Sequence, residues 1–152
     1  MRRVVILGRG GAGKSALAVR LGRLTGLPVV ELDTHFWPPS LVAPSPAEWA
    51  ERQRPLIERP AWIMDGDLGP YDVLAPRLAA ADTVLILDYS LARCGWRAVR
   101  RSRERWDFWR WVLSYRRTSL PAILRTPTTA TRHVFRNPRQ TDVFLSTLHS
   151  GQ

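Results

Sequence analysis

The chain has 152 residues, 45% of them hydrophobic, which is the composition of a folded globular protein and not of a disordered segment. Its formal net charge is +10, and its one cysteine, Cys94, excludes an internal disulfide. We find no apolar run long enough to span a membrane, no leader-like segment at the start, and no metal-ligand spacing around the cysteine or the three histidines, so we expect a single domain in the cytoplasm.

The first predicted elements are a short strand, a glycine-rich loop and a helix. Residues 2–7 (RRVVIL) have the apolar run of a buried strand, and residues 15–24 (SALAVRLGRL) have helical periodicity. The loop between them, GRGGAGKS, matches the Walker A pattern G-x-x-x-x-G-K-[ST]. In such a loop successive backbone N–H groups surround a phosphate at the positive end of the helix. The residues predicted to bind a nucleoside triphosphate are Gly8, Gly10, Gly11, Ala12, Gly13, Lys14, Ser15 and Ala16.

Two side chains of this loop have distinct predicted roles. Lys14 is the only lysine beside 22 arginines, which indicates a chemical requirement for lysine at this position. It would reach the β- and γ-phosphates as a compact charge, where a planar guanidinium fits poorly. Ser15 would ligate Mg²⁺. The alternative, a flexible glycine turn with a chance lysine, does not account for the strand before it and the helix after it.

Strand-like and helix-like segments alternate along the rest of the chain. Strands are predicted at residues 29–33, 61–64, 83–87 and 131–136. Helices are predicted at residues 47–58 (capped by Ser45), 91–105, 107 towards 124, and 139–149. This alternation indicates an α/β fold with a parallel sheet covered on both faces, in which ligands bind beyond the carboxyl ends of the strands.

Three aspartates end predicted strands, at the edge where ligands are expected. Asp33, Asp65 and Asp88 each close one strand, and a phosphate-loop enzyme needs a carboxylate to hold Mg²⁺ directly or through water. Asp88 follows the apolar run VLIL, whereas Asp65 precedes Gly66, which permits close approach of a ligand. Each aspartate alone could instead cap a helix or a turn.

The positive charge is concentrated in the second half of the sequence. Residues 1–90 are neutral overall, whereas residues 91–152 carry 13 arginines, nine of them between Arg93 and Arg117. This half includes the aromatic segment 106–111 (WDFWRW), followed by Arg116 and Arg117. The segment could be a phosphate-binding lid, a helix packed on the sheet, a nucleic-acid surface or an amphipathic membrane-surface helix. We favour the lid or plain packing.

The order of GRGGAGKS, ELDTHFW, WIMDGDLG, VLILDYS and an arginine-rich helix resembles the adenylate-kinase-like small kinases. It is most similar to the proteins known as DNA topology modulation proteins, which have comparable L-D-x-x-F-W and W-I-x-D-G segments. The resemblance covers nearly the whole chain and implies a three-layer P-loop NTPase fold with a five-stranded parallel sheet of order 2-3-1-4-5. It also implies one kinase domain over residues 1–152, with an acceptor-binding insertion at about 34–60, an arginine-rich lid at about 102–117, and use of ATP with Mg²⁺.

The resemblance also assigns roles to individual residues. It favours Asp65 over Asp88 as the magnesium-associated carboxylate. It places Arg97 and Arg101 one helical turn apart, against adenine and phosphate. It places Arg105 and Arg110 in the lid over the transferred phosphoryl group. The loop that contains Asn137 and Arg139 would lie against the adenine.

The sequence departs from these relatives where they bind the phosphate of the acceptor. Adenylate kinases have an arginine soon after the D-G pair, but this chain continues with Asp67, and residues 24–51 contain no lysine or arginine. Asp33, His35, Phe36, Trp37 and Asp67 would frame an acceptor pocket suited to a neutral or cationic hydroxyl compound. Related shikimate and gluconate kinases place an aspartate near this point, so Asp33 would orient the hydroxyl and accept its proton.

The sequence therefore predicts an ATP-dependent small kinase that phosphorylates a small-molecule hydroxyl or a nucleoside-type acceptor. The predicted catalytic residues are Lys14, Asp33, Arg101, Arg105 and Arg110. Two alternatives remain open at this point. The helix that carries Arg52, Arg54 and Arg59 could supply a phosphate clamp and make the protein a nucleoside monophosphate kinase. The basic half could instead bind nucleic acid in a nucleotide-dependent regulator.

Overall fold

The computed structural model describes residues 1–38, 42–101 and 106–150, and only the backbone at residues 97–101, 106–108 and 150. The strands are β1 (Arg3–Gly8), β2 (Val29–Glu31), β3 (Trp62–Asp65), β4 (Thr83–Leu87) and β5 (Thr131–Phe135). The helices are α1 (Lys14–Thr25), α2 (Leu32–Phe36), α3 (Pro46–Ile57), α4 (Ala75–Ala80), α5 (Leu91–Arg101), α6 (Trp106–Ser114), α7 (Ser119–Arg125) and α8 (Pro138–Ser150). A 3₁₀ turn spans Gly69–Tyr71.

The five strands form one parallel sheet of order β2-β3-β1-β4-β5, as predicted. Strand β1 lies at the centre, and its residues Val4 to Leu7 are fully buried because both faces of the sheet are covered. Val5 and Leu7 belong to one apolar cluster, and Val4 and Ile6 to another. This alternation defines a three-layer fold in which β3 and β4 flank the strand that leads into the glycine-rich loop.

The local signals for helix α3 were read correctly. The Ser45 hydroxyl accepts a hydrogen bond from the Glu48 backbone N–H at 3.3 Å, and the Glu48 carboxylate accepts one from the Ser45 N–H at 2.7 Å. Pro46 occupies the first turn, where its missing N–H costs nothing. The exposed start of helix α3 is thereby determined by its own local sequence.

The second predicted strand extends two residues too far. It ends at Glu31, which pairs with Asp65, the last residue of β3, so residues beyond it have no neighbouring strand to pair with. Asp33 therefore does not close a strand and lies instead in the first turn of helix α2. The buried Leu32 packs closely on Gly66, where an added Cβ would lie 2.9 Å from the Leu32 Cβ.

The long helix predicted from residue 107 towards 124 is wrong, because two helices occupy this region. Helix α6 ends at Ser114, and the Ser114 carbonyl accepts hydrogen bonds from the N–H groups of Arg117 and Thr118 in the connecting turn. Pro121 lacks the N–H that a continuous helix needs, but it is tolerated in the first turn of α7. Helix α4 and the preceding 3₁₀ turn were not predicted. No helix in the described parts of the chain is long and apolar enough to cross a membrane.

Candidate active site

The glycine-rich loop joins the buried end of β1 to the start of α1. Gly11 and Gly13 have φ angles of 77° and 95°, which residues with a side chain rarely adopt. Gly13 is the N-cap of α1, and neither a capping side chain nor an acidic residue lies at the first turn of that helix. The first turn of α1 therefore carries no acidic side chain of its own at the positive end of the helix, which is the arrangement that binds a phosphate.

Lys14 is folded over the same loop. Its Nζ donates hydrogen bonds to the carbonyl oxygens of Gly8 at 2.8 Å and Arg9 at 3.3 Å. These contacts hold the ammonium group above the end of β1, next to the N-terminus of α1. Ser15 and Ala16 follow in the first turn of α1. Among the predicted nucleotide-binding residues of the loop, Gly8, Gly10 and Ala12 are buried, whereas Ala16 is exposed.

Two of the three predicted acidic residues flank the loop on neighbouring strands. Asp65 ends β3 and is only 5% exposed, and Asp88 directly follows β4 and is 8% exposed. The Asp88 Oδ1 accepts a hydrogen bond from the Arg116 Nε at 2.7 Å. Asp88 is thereby tied to the turn after α6. The described residues contain no group of three or more His, Cys, Asp or Glu side chains arranged to hold a metal ion.

Asp33 reaches the same region from helix α2. Although the residue is exposed, desolvation by nearby protein atoms raises the pKa of its carboxyl group, the Lys14 charge lowers it, and the Asp65 charge raises it further. The net direction is upward. Asp33 therefore lies within electrostatic reach of both the loop lysine and the β3 carboxylate, although its position in a helix was not foreseen.

Asp67 is another buried carboxylate close to Lys14. Its Oδ1 accepts a hydrogen bond from the Gly69 backbone N–H at 3.1 Å, and burial raises its pKa against the opposing effect of the Lys14 charge. The Tyr115 hydroxyl faces Asp67, and burial together with this negative charge raises the pKa of Tyr115. Sequence reasoning placed Asp67 in the pocket but did not find Tyr115, which lies 48 residues further along the chain.

Aromatic side chains line the acceptor side beyond Asp33. The Phe36 ring lies edge-on to the Trp37 ring at 4.8 Å and to the Trp49 ring at 5.0 Å, and the Trp37 and Tyr71 rings are 6.0 Å apart. Trp37 and Tyr71 remain 37% and 40% exposed, so part of each aromatic ring is accessible from solvent. Trp62, in contrast, is fully buried and donates a hydrogen bond to the Ile57 carbonyl at 3.2 Å, which identifies it as a core residue.

A buried ion pair supports this side of the site and was missed by the sequence analysis. Arg77 donates hydrogen bonds to the Asp72 Oδ1 at 2.7 Å, the Gln53 Oε1 at 3.0 Å and the Gly66 carbonyl at 3.4 Å. Burial raises the pKa of Asp72, but the Arg77 charge and hydrogen bonds prevail and hold it below its usual value. The two terminal nitrogens of the Arg77 guanidinium are thus hydrogen-bonded within the protein, whereas its buried Nε has no hydrogen-bond partner among the described residues. Because Arg77 is paired with Asp72, its charge is not free to bind a phosphate.

The remaining predicted site residues are distributed as follows. Arg110 is exposed on α6, Arg139 is exposed in the first turn of α8, and the Asn137 Oδ1 accepts a hydrogen bond from the Gln140 N–H at 3.1 Å. The side chains of Arg97 and Arg101 and the whole of Arg105 lie outside the described residues. In helix α6, Val112 and Tyr115 beside its end are buried, and Trp111 packs on Gly69, so this part of the predicted lid rests on the acceptor side of the sheet.

Solved structures with the same fold include small kinases. A shikimate kinase from Acinetobacter baumannii matches with a TM-score of 0.66 at 15% identity, over 100% of this chain and 95% of that chain. A sugar kinase from a Janibacter species matches with a TM-score of 0.61 at 20% identity, over 99% and 95%. A deoxyadenosine kinase from M. mycoides matches with a TM-score of 0.60 at 15% identity, over 98% and 99%. No family model and no curated protein matches the sequence. The chain has the fold of the P-loop small kinases.

Proposed function

We propose that this protein is an ATP-dependent small kinase that transfers the γ-phosphoryl group to a hydroxyl group of a small molecule. The observation that carries this proposal is the N-terminus of α1, whose first turn has no capping side chain and no acidic residue, with Lys14 folded over the loop and the buried Asp65 on the neighbouring strand. The fold shared with sugar, shikimate and deoxyadenosine kinases supports it. The cytoplasm is the proposed location.

The donor set fits a magnesium–nucleotide complex. When bound, Mg²⁺ would neutralise phosphate charge, and it is usually held by one or two carboxylates together with phosphate oxygens. Ser15 and Asp65 would hold it, and the amides of the loop would hold the phosphates. Lys14 would exchange its two carbonyl contacts for the β- and γ-phosphates. In the full proposal Arg97, Asn137 and Arg139 contact the nucleotide, and Arg101, Arg105 and Arg110 close over the reacting group.

On the acceptor side, Asp33 would act as the general base. Because its pKa is raised, mainly by burial, its carboxylate has greater affinity for a proton than an ordinary aspartate. Asp33 would orient the acceptor hydroxyl and take its proton as the oxygen forms its bond to phosphorus. Asp67 and the exposed rings of Trp37 and Tyr71 would position the rest of the acceptor.

The charges around this pocket favour an acceptor that has no phosphate of its own. Arg77 is paired with Asp72, while burial raises the pKa values of both Asp33 and Asp67 although the Lys14 charge lowers them. On helix α3, Arg52 and Arg54 are exposed, and Arg54 pairs with Glu51 at 2.6 Å. This arrangement speaks against the alternative of a nucleoside monophosphate kinase.

A nucleic-acid-binding regulator is the second candidate. Trp96 is 65% exposed and Arg93, Arg110 and Arg117 are exposed, which gives the second half both charge and aromatic surface. The name of the DNA topology modulation proteins, which the sequence resembles, suggests this candidate function. The resemblance supplies no mechanism for acting on DNA. Oligonucleotide binding that weakens steeply between low and physiological salt would support a regulator, whereas turnover of a small molecule would not show that dependence.

The decisive experiment is a screen of ATP and GTP consumption with purified protein. Nucleosides, nucleoside monophosphates, neutral sugars and amino alcohols would be offered as acceptors, with the Lys14→Ala variant as the matched control. The proposal predicts Lys14-dependent consumption with a hydroxyl acceptor that lacks a phosphate. Brisk phosphorylation of AMP that survives Asp33→Asn but is abolished by neutralising Arg52 or Arg54 would identify a nucleoside monophosphate kinase instead.

A further inference from the structure

One residue of the glycine-rich loop has a role that the motif does not assign. Arg9 is 2% exposed, yet within the described parts of the chain its guanidinium makes no hydrogen bond and no ion pair. Its one recorded contact is with the face of the Tyr115 ring, whose centroid lies 5.5 Å from the Arg9 Cζ. A buried guanidinium without an anion is unfavourable, and a cation–π contact compensates only part of its lost hydration.

Neither neighbouring carboxylate pairs with Arg9. The Asp88 Oδ1 accepts a hydrogen bond from Arg116, and the Asp67 Oδ1 accepts one from the Gly69 N–H, whereas the buried Asp67 Oδ2 has no hydrogen-bond partner among the described residues. The charges of Asp67 and Asp88 raise the pKa of Tyr115, and the charge of Arg9 lowers it, so all three charges lie near the Tyr115 side chain. Arg9 nevertheless pairs with neither carboxylate. The charge on Arg9 is thus left for a group that is not part of the described protein.

The backbone fixes where that group would lie. The Arg9 carbonyl accepts a hydrogen bond from the Lys14 Nζ at 3.3 Å, and lysine at this place in a phosphate loop reaches the β- and γ-phosphates. The amides of residues 13–15, by contrast, belong to the start of α1. Arg9 therefore lies at the end of the loop where the lysine ammonium group is held. The guanidinium of Arg9 lies over the ring of Tyr115.

We propose that Arg9 binds the terminal phosphoryl group of the nucleoside triphosphate, with Tyr115 supporting the guanidinium from behind. This inference rests on the proposed function. A planar guanidinium can donate two parallel N–H hydrogen bonds to phosphoryl oxygens, and such charge-assisted bonds are strong in a site that excludes water. Arg9 thereby distinguishes a triphosphate from a diphosphate, and it opposes the negative charge on the group that is transferred.

The test compares ATP and ADP binding in the presence of Mg²⁺ by titration calorimetry, which requires no turnover. In Arg9→Met, we expect ATP affinity to fall by about tenfold or more, and ADP affinity to change by less than about twofold. Arg9→Lys retains the charge without the planar donor pair, so its ATP affinity should lie between those of the wild type and Arg9→Met. Arg23→Met, which removes an exposed arginine from α1, is the matched control and should bind both nucleotides as the wild type does.

A second measurement separates binding from folding. Because Arg9 is unpaired in the free protein, Arg9→Met should melt at the same temperature as the wild type or higher, but should gain less from added ATP. Equal loss of ATP and ADP affinity, or no loss of ATP affinity, would overturn the role of Arg9. If the wild type bound neither nucleotide, the kinase proposal itself would fail, so the two failures are distinguishable.

Discussion

Arg9 and Arg77 are both buried, but their guanidinium groups have different partners. Arg77, on the acceptor side, donates hydrogen bonds to Asp72, Gln53 and Gly66. Arg9, in the glycine-rich loop, has an aromatic ring as its neighbour and no anion among the described residues. The comparison teaches that the charge of Arg77 is paired within the chain, whereas the charge of Arg9 has no ion-pair partner among the described residues.

The largest expected effect comes from breaking the completed ion pair. Arg77→Met would leave the buried Asp72 carboxylate without its cation, so we expect a loss of about 3–5 kcal/mol in the free energy of unfolding. Urea denaturation at neutral pH measures it. Because Arg77 lowers the pKa of Asp72, the contribution of the pair is present above the unfolded pKa of aspartate and is lost as pH falls through the folded pKa.

The contrast with the loop provides the control for that experiment. Arg9→Met removes a guanidinium of the same size that has no anion partner, and it should not destabilise the protein. If the free energy of unfolding fell by a similar amount in the two variants, the charge of Arg9 would be compensated within the protein as well as that of Arg77, and the contrast between them would be wrong.

Lys14 supplies the next largest effect. Lys14→Ala should reduce phosphoryl transfer by about 100- to 1,000-fold, the cost of removing one electrostatic donor from a reacting centre. Lys14→Arg should restore little activity, because the geometry of a guanidinium differs from that of an ammonium group. Steady-state kinetics measure the loss, and circular dichroism should show an intact fold. Full activity in either variant would refute the kinase proposal.

Asp33 tests the acceptor side of the reaction. Asp33→Asn should lower kcat by roughly 100-fold, the scale of a lost general base, with little change in ATP affinity. Since the pKa of Asp33 is raised, the wild-type rate should begin to fall on acidification at a higher pH than an ordinary aspartate would require. The variant should lack this acid limb in its pH–rate profile, and retention of the limb would assign it to another group.

Substitutions of Asp65 and Asp88 should distinguish a magnesium-binding carboxylate from a structural one. Asp65→Asn should raise the Mg²⁺ concentration needed for half-maximal activity. Asp88→Asn should act mainly by lowering the melting temperature, because Asp88 holds Arg116 and with it the turn after α6. Magnesium titrations of activity and thermal melts of both variants provide the test, and the reverse pattern would make Asp88 the magnesium-associated carboxylate.

The smallest expected effect concerns Asp67. Its raised pKa means that the folded protein disfavours the ionised carboxylate, so its stabilising contribution is full below the unfolded pKa and is lost as pH rises through the folded pKa. Asp67→Asn retains an acceptor for the Gly69 N–H and carries no charge. Its melting temperature relative to the wild type should therefore increase from about pH 4 upward. A relative decrease over that range would show that the Asp67 charge is compensated.

The sequence by itself determined the elements whose cause is local. The unbroken apolar runs of β1 and β4 predict buried parallel strands, the octet at residues 8–15 predicts the glycine-rich loop, and Ser45 with Pro46 predicts the start of α3. Strand order followed from the resemblance and was confirmed. Each of these features depends on residues that are close together in the chain, where propensity, periodicity and capping act.

Only the tertiary structure decided the features that depend on distant partners. Strand β2 ends at Glu31 because β3 offers no pairing beyond Asp65, and this end places Asp33 in a helix. Tyr115 meets Asp67 and Arg9 only because α6 and the turn after it pack over the edge of the sheet. The burial of a charge and the presence of its counter-charge are set by residues brought together in space, so a sequence pattern could identify the phosphate loop but not the different environments of Arg9, in that loop, and Arg77, in α4.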